Sequence, residues 1–301
     1  VYTVRHYRFI DYATQSYVAI VGLLVLIFGR GLPNWRVLVA AHVTCLVVVQ
    51  LLIHANAAHP DKGFLDILRH FYPIILYAAF YRETGLLNQM VVTGYFDRFF
   101  MGLDERLFGL QPSVAFMQKL PHLPVSELFY ASYFSYYVMI VGVGAALYFQ
   151  NKERFFHYVS IVSFVFYVCY LIYIFLPVVG PRVLQVPVNG FEGQEDLPFH
   201  PLEFPQAVRA GPFFHVMAFI YAHFEAHGAA FPSSHVAVAL CALYFSWRYL
   251  PVVRWIHAAA VVLLIISTVY CRYHYVVDIY AGVATGVVLL LIGERLYRKL
   301  H

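Results

Sequence analysis

Charged residues are scarce in this 301-residue chain. Only 12% of its residues are Asp, Glu, Lys or Arg and 61% are hydrophobic, whereas roughly 25% of a soluble globular protein is charged. Because a soluble surface cannot be so apolar, this composition excludes an ordinary soluble domain and predicts a polytopic membrane protein. The net charge of +4 comes from scattered Lys and Arg, which excludes a nucleic-acid-binding surface.

Cysteine is also rare, and the chain has no CxxC pair. Its four cysteines lie in or at the ends of apolar runs: Cys45, Cys169, Cys241 and Cys271. This pattern excludes a disulfide framework and a cysteine-based zinc site. We expect four buried apolar side chains.

Long apolar runs, by contrast, are plentiful. A bilayer core of about 30 Å needs about 20 mostly apolar residues per helix. Eight runs, the last two less regular, predict an all-α polytopic membrane helix bundle with about eight transmembrane helices: residues 37–54, 128–149, 155–179, 232–250, 252–270, 275–293, 12–28 and 64–81. Residues 82–124 predict amphipathic interfacial helices. Residues 180–230 are rich in Pro, Gly and acids and become amphipathic at 212–225.

The short loops indicate how the bundle is oriented. Lys152 and Arg154 lie in one loop, and Arg248 and Arg254 flank another; such positive loops remain cytoplasmic. Residues 182–230 carry an excess of acids and are expected on the opposite side. Helix counting then places the three polar motifs described next on the extracytoplasmic face.

The first motif is a histidine and an aspartate at helical spacing. His274 and Asp278 are four residues apart and thus share one face of a helix, where the carboxylate orients the imidazole and raises its basicity. Arg272 precedes them and offers a fixed guanidinium fork to phosphate oxygens. A purely structural His–Asp pair between two helices, with Arg272 at the interface, is the alternative interpretation.

Two further motifs lie at predicted helix ends on the same side. Ser233, Ser234 and His235 follow Pro232 at a helix start, where free N–H groups and the helix dipole favour an anion. Arg182 follows a helix that ends at Pro and Gly. Together these motifs favour a phosphoryl-transfer site that needs no metal over three separate structural accidents.

These motifs resemble those of a known family, the type 2 phosphatidic acid phosphatase (PAP2) superfamily. Pro-Ser-Ser-His at 232–235 is similar to its second signature, and residues 272–282 are similar to its third. The resemblance covers roughly residues 100–295. One residue separates Arg272 from His274 where the family usually has five, and the usual Lys of the first signature is absent upstream of Arg182. In both departures and in the segment 104–112, the chain resembles the branch of the family that contains inositol phosphorylceramide synthase-like and sphingomyelin synthase-like enzymes.

The resemblance implies a division of the chain and a set of roles. Residues 1–60 would form N-terminal transmembrane helices, and residues 61–301 a catalytic membrane domain with a six-helix core. His274 would attack phosphorus, Asp278 would orient it and His235 would transfer the proton. No metal or other cofactor is implied, because phosphate would be held by four other side chains: Arg182, Arg272, Ser233 and Ser234.

We therefore expect a membrane enzyme that transfers a phospho-headgroup between lipids at the extracytoplasmic face, with phospholipid or sphingolipid substrates. Hydrolysis of a lipid or polyprenyl phosphate remains open, because its first half-reaction is the same. A non-enzymatic anion or lipid transporter is the alternative from another class. His223 and His227 beside Glu225 could bind zinc, but polar histidines on an interfacial helix are the simpler interpretation.

Overall fold

The computed structural model describes residues 6–184 and 204–300. Within these residues the chain is all-α, with no strands and two short 3₁₀ turns. The twelve helices in this described part are α1 (Phe9–Phe28), α2 (Trp35–Ala58), α3 (Gly63–Leu87), α4 (Asp97–Phe108), α5 (Pro112–Lys119), α6 (Leu123–Gln150), α7 (Lys152–Phe175), α8 (Gln206–Arg209), α9 (Pro212–Phe224), α10 (Ser234–Tyr249), α11 (Arg254–Tyr270) and α12 (Val276–Leu300).

Five described helices are long and apolar enough to cross a membrane, namely α1, α2, α6, α7 and α12. The protein is thus an integral membrane helix bundle, as predicted. The other three predicted spans also fall on helices, α3, α10 and α11, but these are shorter or more charged. With 16 residues, α10 is about 24 Å long, less than the hydrocarbon thickness.

Ion pairs explain how α3 forms despite its charged residues. Arg69 of α3 pairs with the buried Asp11 of α1, which also accepts a 2.7 Å hydrogen bond from the hydroxyl of Tyr72. Asp66 pairs with Lys152 at 2.6 Å. Because each charge has a partner, the apolar run continues as one helix.

The centre of the bundle is α7. In its most apolar 18-residue stretch 72% of the residues are buried, against 17–39% in the corresponding stretches of the other four long spans. Helices α1, α3, α6, α10 and α12 all pack against it. The helix ends at Phe175, four residues before its predicted end, because Leu176 precedes Pro177 and such a residue avoids the helical conformation.

Helices α10 and α12 approach each other closely at two glycines. A Cβ on Gly282 would lie 2.7 Å from the carbonyl oxygen of Ser233, and one on Gly286 would lie 2.9 Å from Cα of Ala237. These glycines form a GxxxG motif, in which small residues let two helix backbones come close together. The contact fixes the start of α12 against the start of α10.

The remaining described segments are shorter. The predicted interfacial region 82–124 begins with the last turns of α3 and continues as α4 and α5. The described part of region 180–230 contains α8 and α9. All four cysteines are free; Cys169, Cys241 and Cys271 are buried, as expected, whereas Cys45 is only half-buried.

Candidate active site

Three connecting loops meet at one end of the bundle. The loop after α7 pairs with the loop before α10, because the N–H of Val178 donates to the carbonyl of Gly228 at 3.1 Å and the N–H of Ala230 donates back to Val178 at 2.8 Å. The α11–α12 loop packs beside them, since a Cβ on Gly180 would lie 2.5 Å from the carbonyl oxygen of Tyr273. Gly180 has a φ of +94°, a conformation that favours glycine. The three sequence motifs are thereby brought together.

His274 lies at the centre of this arrangement and is 3% exposed. Its Nδ1 is 3.4 Å from Oδ2 of Asp278, and its Nε2 is 3.2 Å from the hydroxyl of Ser233. The carboxylate of Asp278 also accepts the N–H of Tyr275 at 3.0 Å. Asp278 thus faces one ring nitrogen and leaves Nε2 toward Ser233, as a histidine nucleophile requires.

His235 faces His274 from the first turn of α10. The two ring centroids are 5.6 Å apart. Nε2 of His235 lies 3.0 Å from the hydroxyl of Tyr133, while Nδ1 is buried without a hydrogen-bond partner among the described atoms. A reacting group between the two rings could therefore exchange a proton with His235.

The two serines lie at the start of α10. Ser233 is its N-cap, with a hydroxyl that accepts the N–H of Val236 at 3.4 Å. Its own N–H donates to the carbonyl of Asp278 at 3.1 Å, which joins α10 to α12. Ser234 is buried in the first turn. The helix thus begins two residues after Pro232, because the capping hydroxyl belongs to Ser233.

Arg182 reaches the same region but is already paired. Its guanidinium donates to Oε2 of Glu225 at 2.9 Å and lies 4.0 Å from the ring centroid of Tyr221 and 5.0 Å from that of Tyr273. The Tyr221 and Tyr273 rings stack at 4.1 Å. Glu225, to which sequence reasoning gave no role toward Arg182, therefore occupies the anion position on this arginine.

Arg272 is placed differently from Arg182. It is 1% exposed, and its guanidinium carbon lies 5.4 Å from the ring centroid of Phe204. It also interacts electrostatically with Tyr130 and Tyr270. Arg272 thus lies against an aromatic ring, whereas the charge of Arg182 acts on both His235 and His274.

Two buried aspartates that sequence reasoning left without a role hold the site loops. Asp97 accepts the N–H groups of Val179 at 2.9 Å and Gly180 at 2.8 Å and the hydroxyl of Tyr275 at 3.0 Å. Asp104, in the segment that carried part of the family resemblance, accepts the N–H of Val276 at 2.8 Å and of Val277 at 3.1 Å. It therefore caps α12 from another helix.

Burial shifts the pKa values of His274 and Asp97. It lowers the pKa of His274 well below its ordinary value, and the nearby His235 and Arg182 lower it further. A neutral imidazole, which carries a lone pair on one ring nitrogen, is thus favoured. Burial likewise raises the pKa of Asp97 to about 6, although its hydrogen bonds to Val179 and Gly180 oppose that rise.

The possible zinc site at the C-terminal end of α9 is not assembled. Glu225 pairs with Arg182, and His223 is exposed, with its Nδ1 2.9 Å from the carbonyl oxygen of Phe219. Among residues 6–184 and 204–300, no three His, Cys, Asp or Glu side chains are grouped so as to hold a metal ion.

Comparison with known proteins agrees with the motifs. A PA-phosphatase related-family protein from Dictyostelium discoideum is 36% identical over 64 residues, which are 21% of this chain and 12% of that relative. The match thus spans about an eighth of the relative's length. No solved structure gives a significant match. The sequence model of the PAP2 superfamily matches residues 99–292, which is more than half of the chain and includes the motifs around His235 and His274, so the chain belongs to the PAP2 superfamily.

Proposed function

We propose that the protein transfers a phospho-headgroup from one lipid to the hydroxyl of another through a phosphohistidine at His274. The donor is a phospholipid, and the acceptor is a lipid alcohol such as ceramide, diacylglycerol or a glycolipid. Family membership supports lipid phosphatase or phosphotransferase chemistry. Transfer as the particular outcome is the proposal.

The observation that carries this proposal is the pair of facing histidines, of which only His274 has a carboxylate. Asp278 lies beside Nδ1 of His274 at 3.4 Å, and His235 lies opposite with a ring-centroid separation of 5.6 Å. Nε2 of His274 attacks phosphorus while His235 protonates the leaving oxygen. In the second half His235 takes the proton of the acceptor hydroxyl, and the oxygen displaces His274.

The phosphate oxygens are held by the groups around this pair. Ser233 and Ser234 supply hydroxyls at the start of α10, where the helix dipole favours an anion. Arg182 supplies a guanidinium, on which the phosphate replaces the carboxylate of Glu225. Arg272, in the α11–α12 loop, supplies a second guanidinium. These donors stabilise charge that develops during transfer.

Hydrolysis is the second candidate, because a relative is named as related to PA-phosphatases. Water in place of the lipid hydroxyl would resolve the same intermediate. Both reactions are proposed for the extracytoplasmic face, since the cytoplasmic loops would be the positive ones that contain Lys152 and Arg254.

The test is an assay of purified protein in detergent with EDTA present. A headgroup-labelled phospholipid is incubated with a lipid alcohol, and the products are measured by mass spectrometry. Labelled acceptor lipid indicates transfer, whereas a water-soluble labelled headgroup phosphate indicates hydrolysis. Vanadate, which mimics five-coordinate phosphorus, is expected to inhibit either reaction.

A matched pair of variants assigns the activity to the site. His274→Ala is expected to abolish turnover, because the nucleophile is lost. His223→Ala is expected to keep it, because this side chain is exposed and its described hydrogen bond is to the carbonyl of Phe219 in its own helix. Absence of both products in the wild-type protein would instead favour an anion-binding or transport function.

A further inference from the structure

A cavity of about 370 Å³ opens beside His235. Its walls come from α3, α6 and α9, and His235 of α10 lines it. The volume is within the roughly 300–1,000 Å³ range of small-molecule sites. Glu225, whose carboxylate pairs with Arg182, also lines the cavity.

We infer that this cavity holds the lipid alcohol of the reaction, first as the leaving group and then as the acceptor. The inference rests on the proposed function. In an in-line displacement the leaving oxygen departs on the side opposite the attacking atom. His235 lies opposite His274 and lines the cavity, so the alcohol oxygen leaves toward the cavity.

The lining of the cavity fits an alcohol that carries hydrocarbon. Ala78, Ile220 and Phe224 provide apolar surface, and three tyrosines add aromatic rings. Arg82 and Glu225 are the charged members of the lining. A water-soluble alcohol would gain little from so much apolar surface, whereas a lipid alcohol matches both the hydrocarbon wall and the few polar groups.

Helix α3 contributes a wall that lies outside the family-matched region. Ala78, Tyr81 and Arg82 precede residue 99, where that region begins. Arg82 also donates to the carbonyl of His223, which holds the last turn of α9 against α3. The chemistry therefore belongs to the family core, while α3 selects the alcohol that the core uses.

The proton and electron pairs balance around this cavity. In the first half the lone pair on Nε2 of His274 forms the P–N bond, the P–O bond breaks, and the leaving oxygen takes the proton of His235. In the second half the acceptor hydroxyl returns a proton to His235 and its oxygen forms the new P–O bond. The P–N bond breaks, and its electron pair returns to His274.

Filling the cavity tests the inference. Ala78→Trp places a large ring in it, and Ala145→Trp is the matched control, because Ala145 is also exposed and lines a separate apolar cavity of about 360 Å³. Two activities are measured: transfer to a lipid alcohol, and release of p-nitrophenol from the small ester p-nitrophenyl phosphate. We expect Ala78→Trp to lower the ratio of lipid transfer to small-ester cleavage by about tenfold or more and Ala145→Trp to leave it unchanged.

The inference would be overturned if the ratio of lipid transfer to small-ester cleavage were the same in the wild type and in Ala78→Trp. It would also be overturned if this ratio fell equally in both tryptophan variants. If the wild-type protein cleaves neither substrate, the proposed function fails as well. If it transfers normally and only the ratio is unmoved, the inference alone fails.

A measurement on the wild-type protein covers the case in which Ala78→Trp does not fold. Diacylglycerol with a photoreactive diazirine in one chain is bound in detergent and irradiated, and the adducts are mapped by mass spectrometry. Adducts in residues 78–82 or 220–225 support the inference. Adducts confined to other helices would overturn it.

Discussion

Three buried carboxylates organise the residues around His274, and each of them binds backbone N–H groups. Asp278 accepts from Tyr275, Asp97 from the loop after α7, and Asp104 from the start of α12. Hydrogen bonds from N–H groups to a charged acceptor are stronger than neutral ones. The position of the proposed nucleophile thus depends on acids that bind the backbone.

The protonation of Asp97 should make stability depend on pH. Its pKa is about 6 in the folded protein against an ordinary 3.8, so the folded state keeps a proton that the unfolded chain releases. Stability therefore falls as pH rises from about 4 to about 6, on the order of 3 kcal/mol, and this contribution is constant above that range. Asp97→Asn cannot ionise, so the melting temperature of the variant relative to the wild type should increase between pH 4 and pH 6. If the melting temperatures of the two proteins in detergent changed equally with pH across this range, the assignment would be contradicted.

At the residue scale, sequence reasoning could predict pairs that are close in the chain and missed pairs that are distant. The four-residue spacing of His274 and Asp278 indicates their contact directly. Asp97 binds a loop 82 residues away and Asp104 a helix start 172 residues away, which no local pattern reveals. The sequence signal that could have pointed to Asp97 and Asp104 was that each is an acid in the predicted interfacial region 82–124. The partner of Arg182, Glu225, was likewise hidden by distance.

At the scale of single elements, the cap of α12 comes from another helix. Asp104→Ala removes the acceptor of two N–H groups, and losses of about 0.5–2 kcal/mol are typical of such caps. We expect a lower melting temperature and lower activity, because α12 carries Asp278. Glu105→Ala is the control, since Glu105 is an exposed neighbour. Equal melting temperatures for the two variants would exclude the capping role.

The close contact between α10 and α12 predicts that replacing Gly282 with Ala destabilises the protein, whereas the same substitution at a glycine outside the contact does not. Ala at Gly282 would collide with the carbonyl of Ser233 at 2.7 Å, whereas Ala at Gly142 of α6 meets nothing within 4 Å. Gly282→Ala should therefore destabilise the protein by about 1–3 kcal/mol. Gly142→Ala should be neutral or stabilising, because Ala favours a helix. Thermal unfolding in detergent compares them, and a stable, active Gly282→Ala variant would show that the helices are not held this closely.

The lengths of the apolar runs could predict which segments form helices. They could not predict where the helices end or which helix accommodates charged residues. α7 stops early because Pro177 follows Leu176, and α10 starts late because Ser233 is its cap. α3 continues through Arg69 because its partner, Asp11, lies on a different helix. Each deviation depends on a contact or a backbone restriction that hydropathy does not contain.

At the scale of the whole molecule, the proposed orientation joins topology to chemistry. If Lys152 is cytoplasmic and Gln206 is extracytoplasmic, an impermeant thiol reagent should label Gln206→Cys but not Lys152→Cys in intact cells. Three native cysteines are buried, so replacement of Cys45 alone gives a suitable background. If only Lys152→Cys were labelled, the orientation would be the opposite of the one proposed. The site would then face the cytoplasm, where soluble donors could reach it.

The most direct test of the central claim is to trap the phosphoenzyme. The protein is quenched in alkali shortly after mixing with a phosphorus-labelled lipid donor, and the modified peptide is identified by mass spectrometry. We predict an acid-labile phosphoryl group on His274 that is absent in His274→Ala and is discharged when a lipid alcohol is added to the unquenched enzyme. Turnover by His274→Ala at the wild-type rate, or a phosphoryl group on another residue, would contradict the account.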